Sequence, residues 1–403
     1  MANTFKFGNG NWATKEGSAL AYNDENNNFK PLPFDFTRAG SATRVNKDGL
    51  IEVVGSNEPR IDFLNDSKGA LLLEPSRSNK VSTSNDFNGG GWLLANLTAT
   101  TNQIISPDGT LNASKLEMTG DGSLRNQSEA SFNDGYAYSI FVKKGNTRYV
   151  TIRSAFFTQS FNCGFDLDTL TSEANGKIED YGNDWYRLSI TKDISGDVDR
   201  SGFFYVYLPN SLGSQTSVSG NYVYAYGGQI EDGSYATSYI PTQGSSVTRV
   251  ADVFSQTVPD NASFNSSNGF SVISKFGIGN AGSGTSSSFI QFNDDTGNTY
   301  IGFGSNSTNL RCRLNLSGTA YLNTQANAPR TQENSLFISC DANGWSQGAN
   351  GVTNNTGSND ASVFDKINSI SYTSSEVFGI IKIKELLIYN TRLTDAELQK
   401  LTS

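Results

Sequence analysis

Asp166 and Asp168 stand two apart in GFDLDTL, so on a strand both carboxylates would face one side of a sheet. Paired carboxylates are the working parts of glycoside hydrolysis. They must lie about 5–5.5 Å apart for retention of configuration, or about 6.5–9.5 Å apart for inversion. A second acidic cluster, Asp197-Val-Asp199-Arg-Ser201-Gly202, begins like a calcium-binding EF-hand loop. Its twelfth position is Leu208, where a bidentate Glu is required, and strands flank it rather than helices. A Ca2+ site of another kind, drawn from Asp193, Asp197 or Asp199, competes there with a plain polar turn. Gly277-Ile-Gly279-Asn-Ala-Gly282 spells GxGxxG, but a nucleotide fingerprint needs a helix next, and SGTSSSFIQF reads as a strand. These residues are expected to form a hairpin loop. The chain contains no histidine. That excludes a Ser-His-Asp triad, His-based zinc sites and an imidazole base, and leaves carboxylates, Tyr, Lys and Cys for any chemistry.

The elements that would hold these groups are strands. Gly, Asn, Ser and Thr are abundant among frequent Tyr and Phe, the composition of many short strands joined by tight turns. The fold class is therefore all-β. In YVYAYGGQIEDGSYATSYIPT, Tyr222, Tyr224 and Tyr226 fall at every second position and so share one face. Such a stripe either fills a core or offers a flat surface to a flat ligand such as a sugar ring. Packing between two sheets is the expected outcome, with the hydroxyls satisfied at the sheet margins.

Thirty basic against thirty-nine acidic residues give a net charge of −9, with no basic patch for phosphates, which argues against a nucleic-acid partner. No segment approaches the ~20 apolar residues of a membrane helix, so membrane insertion is not expected. MANTFKFGNG lacks the basic start and apolar run of a signal peptide. Cys163, Cys312 and Cys340 are odd in number and widely spaced, which predicts reduced, strand-embedded thiols and assembly in a reducing cytoplasm.

Three blocks separate by texture. Residues 1–85 hold short apolar pieces between polar turns, too thin for an independent core; they are expected to form an extended attachment or oligomerisation region wrapped on a neighbour. Residues 86–248 carry longer strands of period two, a jelly-roll or β-sandwich domain. Residues 249–403 repeat that texture as a second sandwich and end in Thr394-Asp-Ala-Glu397, a capping box that opens a short terminal helix. Trp185 and Trp345 are expected in cores. Trp92, after Gly89-Gly90-Gly91, is expected to anchor the chain where the middle domain begins.

FDFTRAGSATRVNKDGLIE (34–52), ALLLEPSRSN (70–79), NDFNGGGW (85–92), GNDWYRLSIT (182–191) and YGGQIEDGSYATSYIPTQGSSVTRVAD (226–252) resemble a recurrent architecture of tailed-phage fibres and other virion appendage proteins. The last block, ending in KIKELLIYNTRLTDAELQKL (382–401), resembles the concanavalin A-like, LamG-type lectin sandwiches at the ends of such proteins. The resemblance covers most of the chain and is specific to architecture, not to a ligand. It implies a structural virion protein of head or tail, with other virion proteins as partners. It also implies a homo-oligomer, trimer favoured, and adhesion to cell-surface glycans. Tyr300, Asn309, Arg311 and Tyr321 are the candidate ligand-binding residues in the lectin-like block. Concanavalin-type glycosidases resemble one another in carrying Glu-x-Asp-x-Glu on one strand, and no such triplet occurs here. A non-enzyme is therefore expected, with a purely architectural part or a polysaccharide depolymerase as alternatives.

Overall fold

The computed structural model describes residues 4–23, 30–126, 129–156, 160–198, 200–257, 269–278, 287–294, 300–305, 309–316, 319–329, 333–357, 367–373 and 379–403. The regular secondary structure of the described residues is almost entirely strand, with one helix, Asp395–Thr402. That helix is not long enough to cross a membrane. The all-β expectation holds, but the chain divides differently from the three successive blocks. It forms two compact units that interleave along the sequence: Met1–Ser41, Val54–Pro75 and Val250–Ser403 make one, and Ala42–Val53 with Ser76–Arg249 make the other.

The second unit is one sheet folded on itself. Leu111–Asn126 pairs through Ser114–Glu117 with Tyr222–Asp232, and through Leu124 and Arg125 with Ser201–Tyr207. Between those two ladders lie Gly120 and Gly122. A Cβ on Gly122 would come within 1.9 Å of the Ala95 carbonyl oxygen, so a side chain there would block the bend. One half of the sheet continues from Tyr222–Asp232 to Gly135–Lys144, Trp185–Asp193 and Gly176–Asp180. The other continues from Ser201–Tyr207 to Tyr149–Phe156, Ser160–Asp166 and Thr171–Ser172. Their inner faces meet in a core where Tyr138 stacks on Phe204 at 5.1 Å and Tyr136 on Phe156 at 5.2 Å. The Tyr136 hydroxyl is matched by Ser154 Oγ at 2.5 Å, and burial lifts this phenol to about 12. Cys163, on the same core, is a free buried thiol pushed up to about 12, by burial first and by Glu173 second. Cys312 and Cys340 are likewise buried, outside any disulfide, on strands of the first unit.

In the first unit Phe270–Ile278 is the central strand of one layer, antiparallel to Glu333–Asp341 on one side and Ile381–Tyr389 on the other. Thr4–Gly8 adds to Ile381–Tyr389, with Thr4 opposite Tyr389 and Gly8 opposite Glu385. Ala70–Leu73 pairs with the other end of that strand. The N-terminal segment thus finds its neighbour in its own chain, and most of residues 1–85 belongs to the terminal sandwich. A second layer runs through Lys30–Thr37, Val253–Thr257, Ser369–Thr373 and Ser287–Asn293. The two layers close on a shared core in which Phe34 stacks on Phe254 at 4.9 Å. Trp345 packs on this core only partly buried. The terminal helix has the capping box that its sequence announces: Thr394 Oγ1 accepts from the Glu397 amide, and the Glu397 carboxylate accepts from the Thr394 amide.

Arg38, Arg60, Glu74 and Asp252 form a buried charged group within this unit. Asp252 accepts from Arg38 at 3.1 Å with one oxygen, and from Arg60 and the Glu74 amide (2.9 Å) with the other. Glu74 closes the group with an Arg60 contact at 2.7 Å. Arg38 donates further to the carbonyls of Gly40, Gly55 and Glu58. Burial alone would lower the pKa of Arg60, but Asp252 and Glu74 outweigh it and hold the guanidinium above its ordinary value. Truncating one member of a buried ionic group strands its partners, at a cost of about 3–5 kcal/mol. Asp252→Ala is therefore expected to lower the unfolding free energy by about that amount, read as a fall in urea midpoint. A midpoint unchanged from the parent would refute this account of the network.

Candidate functional site

The outer face of the half-sheet bearing the tyrosine strand carries a cleft of about 580 Å³. Its floor follows from register. Lys143 stands opposite Trp185 on one neighbouring strand and opposite Tyr224 on the other, and Tyr224 stands opposite Lys115. Side chains directly opposite on one face lie about 4.5–5.5 Å apart, so Trp185, Lys143, Tyr224 and Lys115 form one row across four strands. Trp185 is only 2% exposed and its indole N–H donates to the Ile105 carbonyl at 3.1 Å, so it closes the floor from beneath.

One wall is the hairpin end that joins Trp92–Ile105 to Leu111–Asn126. It presents Ile105 and Leu111, which are 60% and 59% exposed. The turn is built around Asp108. That carboxylate accepts from the Ser106 hydroxyl (2.8 Å), the Thr110 amide (2.8 Å) and hydroxyl (2.6 Å), the Asn112 amide group (2.9 Å) and the Tyr226 hydroxyl (3.0 Å). Partial burial would raise its pKa, but the donors from Thr110, Ser106 and Asn112 prevail and hold it below the usual carboxylate value. The opposite wall is the turn Gly182-Asn183-Asp184, with three successive left-handed residues at φ 77°, 52° and 62°. Asn and Asp tolerate that region better than other non-glycine residues. Lys143 braces the turn through its ammonium, 2.6 Å from the Asn183 carbonyl and 3.4 Å from the Asp184 carboxylate. Leu50 and Gly49, from the turn after Ala42–Val45, complete the lining.

The tyrosine stripe therefore does not lie between the sheets. Val223 and Ala225 take the core side, and the tyrosines face outward. Tyr222 and Tyr224 are half-buried. Tyr226 is covered by Tyr239 (5.4 Å) and Phe141 (5.9 Å) and serves as the post under Asp108. Pattern alone shows that the rings share a face; which face is inward depends on the fold-back at Gly120 and Gly122.

The sequence-derived candidates scatter. Tyr300, Asn309, Arg311 and Tyr321 lie on three consecutive strands, Tyr300–Ser305, Asn309–Leu316 and Thr319–Pro329. Tyr300 faces Asn315 while Arg311 faces Gly304, four positions along, or about 13 Å. Register does not gather them at one point. The Asp193 carboxylate accepts from the Ser195 amide at 2.9 Å, which lowers its pKa and makes it a turn residue. The Asp197 amide is engaged with the Ile194 carbonyl, and Asp199 lies outside the described residues. Among the described residues, no group of three His, Cys, Asp or Glu side chains is placed to hold a metal. Gly279 to Gly282 also lie outside the described residues. Asp166 and Asp168 are each tied to a cation: Arg148 forks onto Asp166, and Lys144 pairs with Asp168.

No family model and no curated protein matches the sequence. Among solved structures, the chain is similar to the CBM40 domain of the Ruminococcus gnavus IT-sialidase bound to α2,3-sialyllactose, at 16% identity, a TM-score of 0.29, and 34% of this chain against 84% of that one. Domain 4 of AbnA, a GH43 extracellular arabinanase from Geobacillus stearothermophilus, in complex with arabinotriose, is similar at 19% identity over 43% of this chain and 84% of its own, TM-score 0.31. The receptor-binding domain of botulinum neurotoxin mosaic serotype C/D is similar at 12% identity over 38% of this chain and 39% of its own, TM-score 0.31.

Two outcomes are expected. The Arg148 hydrogen bonds, against a smaller opposing effect of burial, lower Asp166 from 3.8 to about 2. A carboxylate depressed in the folded state stabilises above its unfolded pKa, so its contribution is complete above about pH 4 and drains away as the pH falls toward 2. Urea midpoints of the parent and Asp166→Asn should converge over that window; parallel pH profiles would contradict the pairing. Tyr226→Phe should cost about 1–2 kcal/mol by removing one donor to Asp108. It should also raise hydrogen exchange at the Thr110 amide; unchanged exchange would show that the turn stands without its post.

Proposed function

We propose that the chain is a non-catalytic structural adhesion protein of a tailed-phage virion, which holds glycans in the cleft of its folded-sheet unit. The observation that carries the binding reading is the Trp185–Lys143–Tyr224–Lys115 row beneath a wall that exposes Ile105 and Leu111. A sugar ring has an apolar C–H face and a polar rim. The cleft offers an aromatic and aliphatic surface for the first, with the Lys143 ammonium and the exposed Asn183 amide for the second. The volume is in the range of small-ligand sites, about 300–1,000 Å³.

The virion assignment rests on the resemblance of the motifs around Arg38, Glu74 and Asp252. With it come assembly in the bacterial cytoplasm, attachment to other virion proteins and a threefold oligomer. Multivalency supports the combination. A shallow site of millimolar affinity is worth about −4 kcal/mol alone, and joining copies raises avidity by about 10²–10⁴. The non-catalytic reading is supported by the locking of Asp166 and Asp168 onto Arg148 and Lys144.

The test is binding of the intact protein to an array of neutral host-surface oligosaccharides. Tyr224→Ala should weaken the best binder about tenfold, or about 1.4 kcal/mol, and Ile105→Asp should abolish it, with urea midpoints near the parent's. Equal binding by both variants would remove the cleft from the account. The appearance of new reducing ends in the bound glycan would overturn the non-catalytic reading.

A further inference from the structure

The other half of the folded sheet turns its own outer face to solvent, and its central row is cationic and aromatic. Tyr205 stands opposite Arg125 on one neighbouring strand and opposite Arg153 on the other. The two guanidinium carbons lie 5.9 and 5.7 Å from the Tyr205 ring centre, and Arg125 is also 4.5 Å from the Phe203 ring. Tyr207, two residues on and therefore on the same face, stacks on Tyr205 at 6.1 Å with the planes 14° apart. Both arginines and Tyr205 are half-buried.

These arginines differ from the others in the unit that carry carboxylate partners. Arg148 holds Asp166, and Arg200 holds Asp134. Among the described residues neither Arg125 nor Arg153 forms an ion pair. Arg153 reaches only the Ser160 hydroxyl, at 3.4 Å, and its Nε is buried without a hydrogen-bond partner. On the same strand face, two residues away, the fully buried Thr151 hydroxyl is also unpartnered. Thirty-nine acidic side chains were available to neutralise this spot in a chain of net charge −9. Instead two like charges converge on one ring, an arrangement that a bound anion stabilises. The nearby Glu173 is occupied with the Gly164 amide at 2.7 Å. The face is closed at that end by the 211–214 loop, since a Cβ on Gly164 would sit 2.3 Å from the Gly213 nitrogen.

We propose that this face is a second saccharide site, distinct from the cleft, and that it takes a carboxylate-bearing sugar unit of an acidic polysaccharide. The planar fork of each guanidinium matches a carboxylate, and the half-buried Tyr205 ring, backed by the buried Tyr207, supplies a flat apolar bed for the sugar ring. Because both guanidiniums flank the same tyrosine, one acidic unit seated on it meets both. All the groups stand on paired strands, so the geometry exists before the ligand arrives.

The test is calorimetric titration of the intact protein with an oligogalacturonate, its methyl ester and a sulfated dextran of similar length. The acid should bind and weaken as salt rises, and the ester should bind at least tenfold more weakly. Arg125→Gln with Arg153→Gln should cost at least tenfold, and Arg125→Lys with Arg153→Lys should fall between, since charge remains but the fork is lost. Lys177→Gln, which removes an exposed charge elsewhere, should bind within twofold of the parent. Failure of the acid to bind, equal binding of acid and ester, or equal binding of the sulfated dextran would each overturn the proposal without variants. An unchanged double-glutamine variant that unfolds at the parent's urea midpoint would do the same. Loss of neutral-sugar binding in Tyr224→Ala is a separate titration, so the two sites stand or fall independently.

Discussion

The Asp252 carboxylate, caught between Arg38 and Arg60 with the Glu74 amide on its second oxygen, is the constraint on which the terminal sandwich depends. Its four members come from three distant stretches of chain, and each stands a few residues from a point where the chain passes from one unit to the other. A lone buried charge costs several kcal/mol, so none of the four tolerates the absence of the rest. The network specifies as much as it stabilises. A strand slipped by one residue would carry Asp252 away from its guanidiniums, and no other described carboxylate would take its place there.

This explains what the recognisable motifs are for. FDFTRAG contains Arg38, ALLLEPSRSN contains Glu74, and SSVTRVAD contains Arg249 and Asp252. Arg249 donates to the Thr237 and Ser238 hydroxyls within the folded-sheet unit. In these motifs Arg38, Glu74, Arg249 and Asp252 are buried ionic and polar groups that fix architecture. That is why the resemblance speaks to architecture and is silent about ligand. Candidate ligand residues in the lectin-like block, such as Tyr300 and Asn309, have no comparable constraint behind them, and register spreads them along the strands.

Period-two texture made the strands, the tight turns and the capped helix legible. It did not reveal the interleaving of units, because Thr4–Gly8 finds its partner in Ile381–Tyr389, far along the chain, and local pattern carries no record of distant pairing. Short apolar pieces such as Thr4–Gly8 and Ala70–Leu73 look too weak for a core because each is a strand of a sheet completed by the last third of the chain. The inward side of the tyrosine strand is illegible in the sequence for a related reason. Alternation reports that Tyr222, Tyr224 and Tyr226 share a face, and the neighbouring Val223 and Ala225 are small enough to look like the lesser candidates for burial. Yet Val223 and Ala225 fill the core, and the tyrosines face outward.

Both proposed binding faces descend from the same long strand, Leu111–Asn126. Lys115 and Arg125 lie on Leu111–Asn126 ten residues apart, an even spacing, so they share one side of the sheet. The inner alternation of Leu116, Met118 and Leu124 holds through the bend, which keeps the core continuous while the outer side is divided in two. One half presents Lys115 beside Tyr224, where the ammonium lies 4.2 Å over the neighbouring Tyr222 ring and is neutralised by Glu117. The other presents Arg125 beside Tyr205 with no carboxylate partner among the described residues. The same cation-beside-tyrosine pattern thus occurs twice on one folded sheet, once compensated and once not. On the proposed reading, this difference in charge balance on a shared scaffold suits the two faces to different ligands, a neutral sugar on one side and an acidic one on the other.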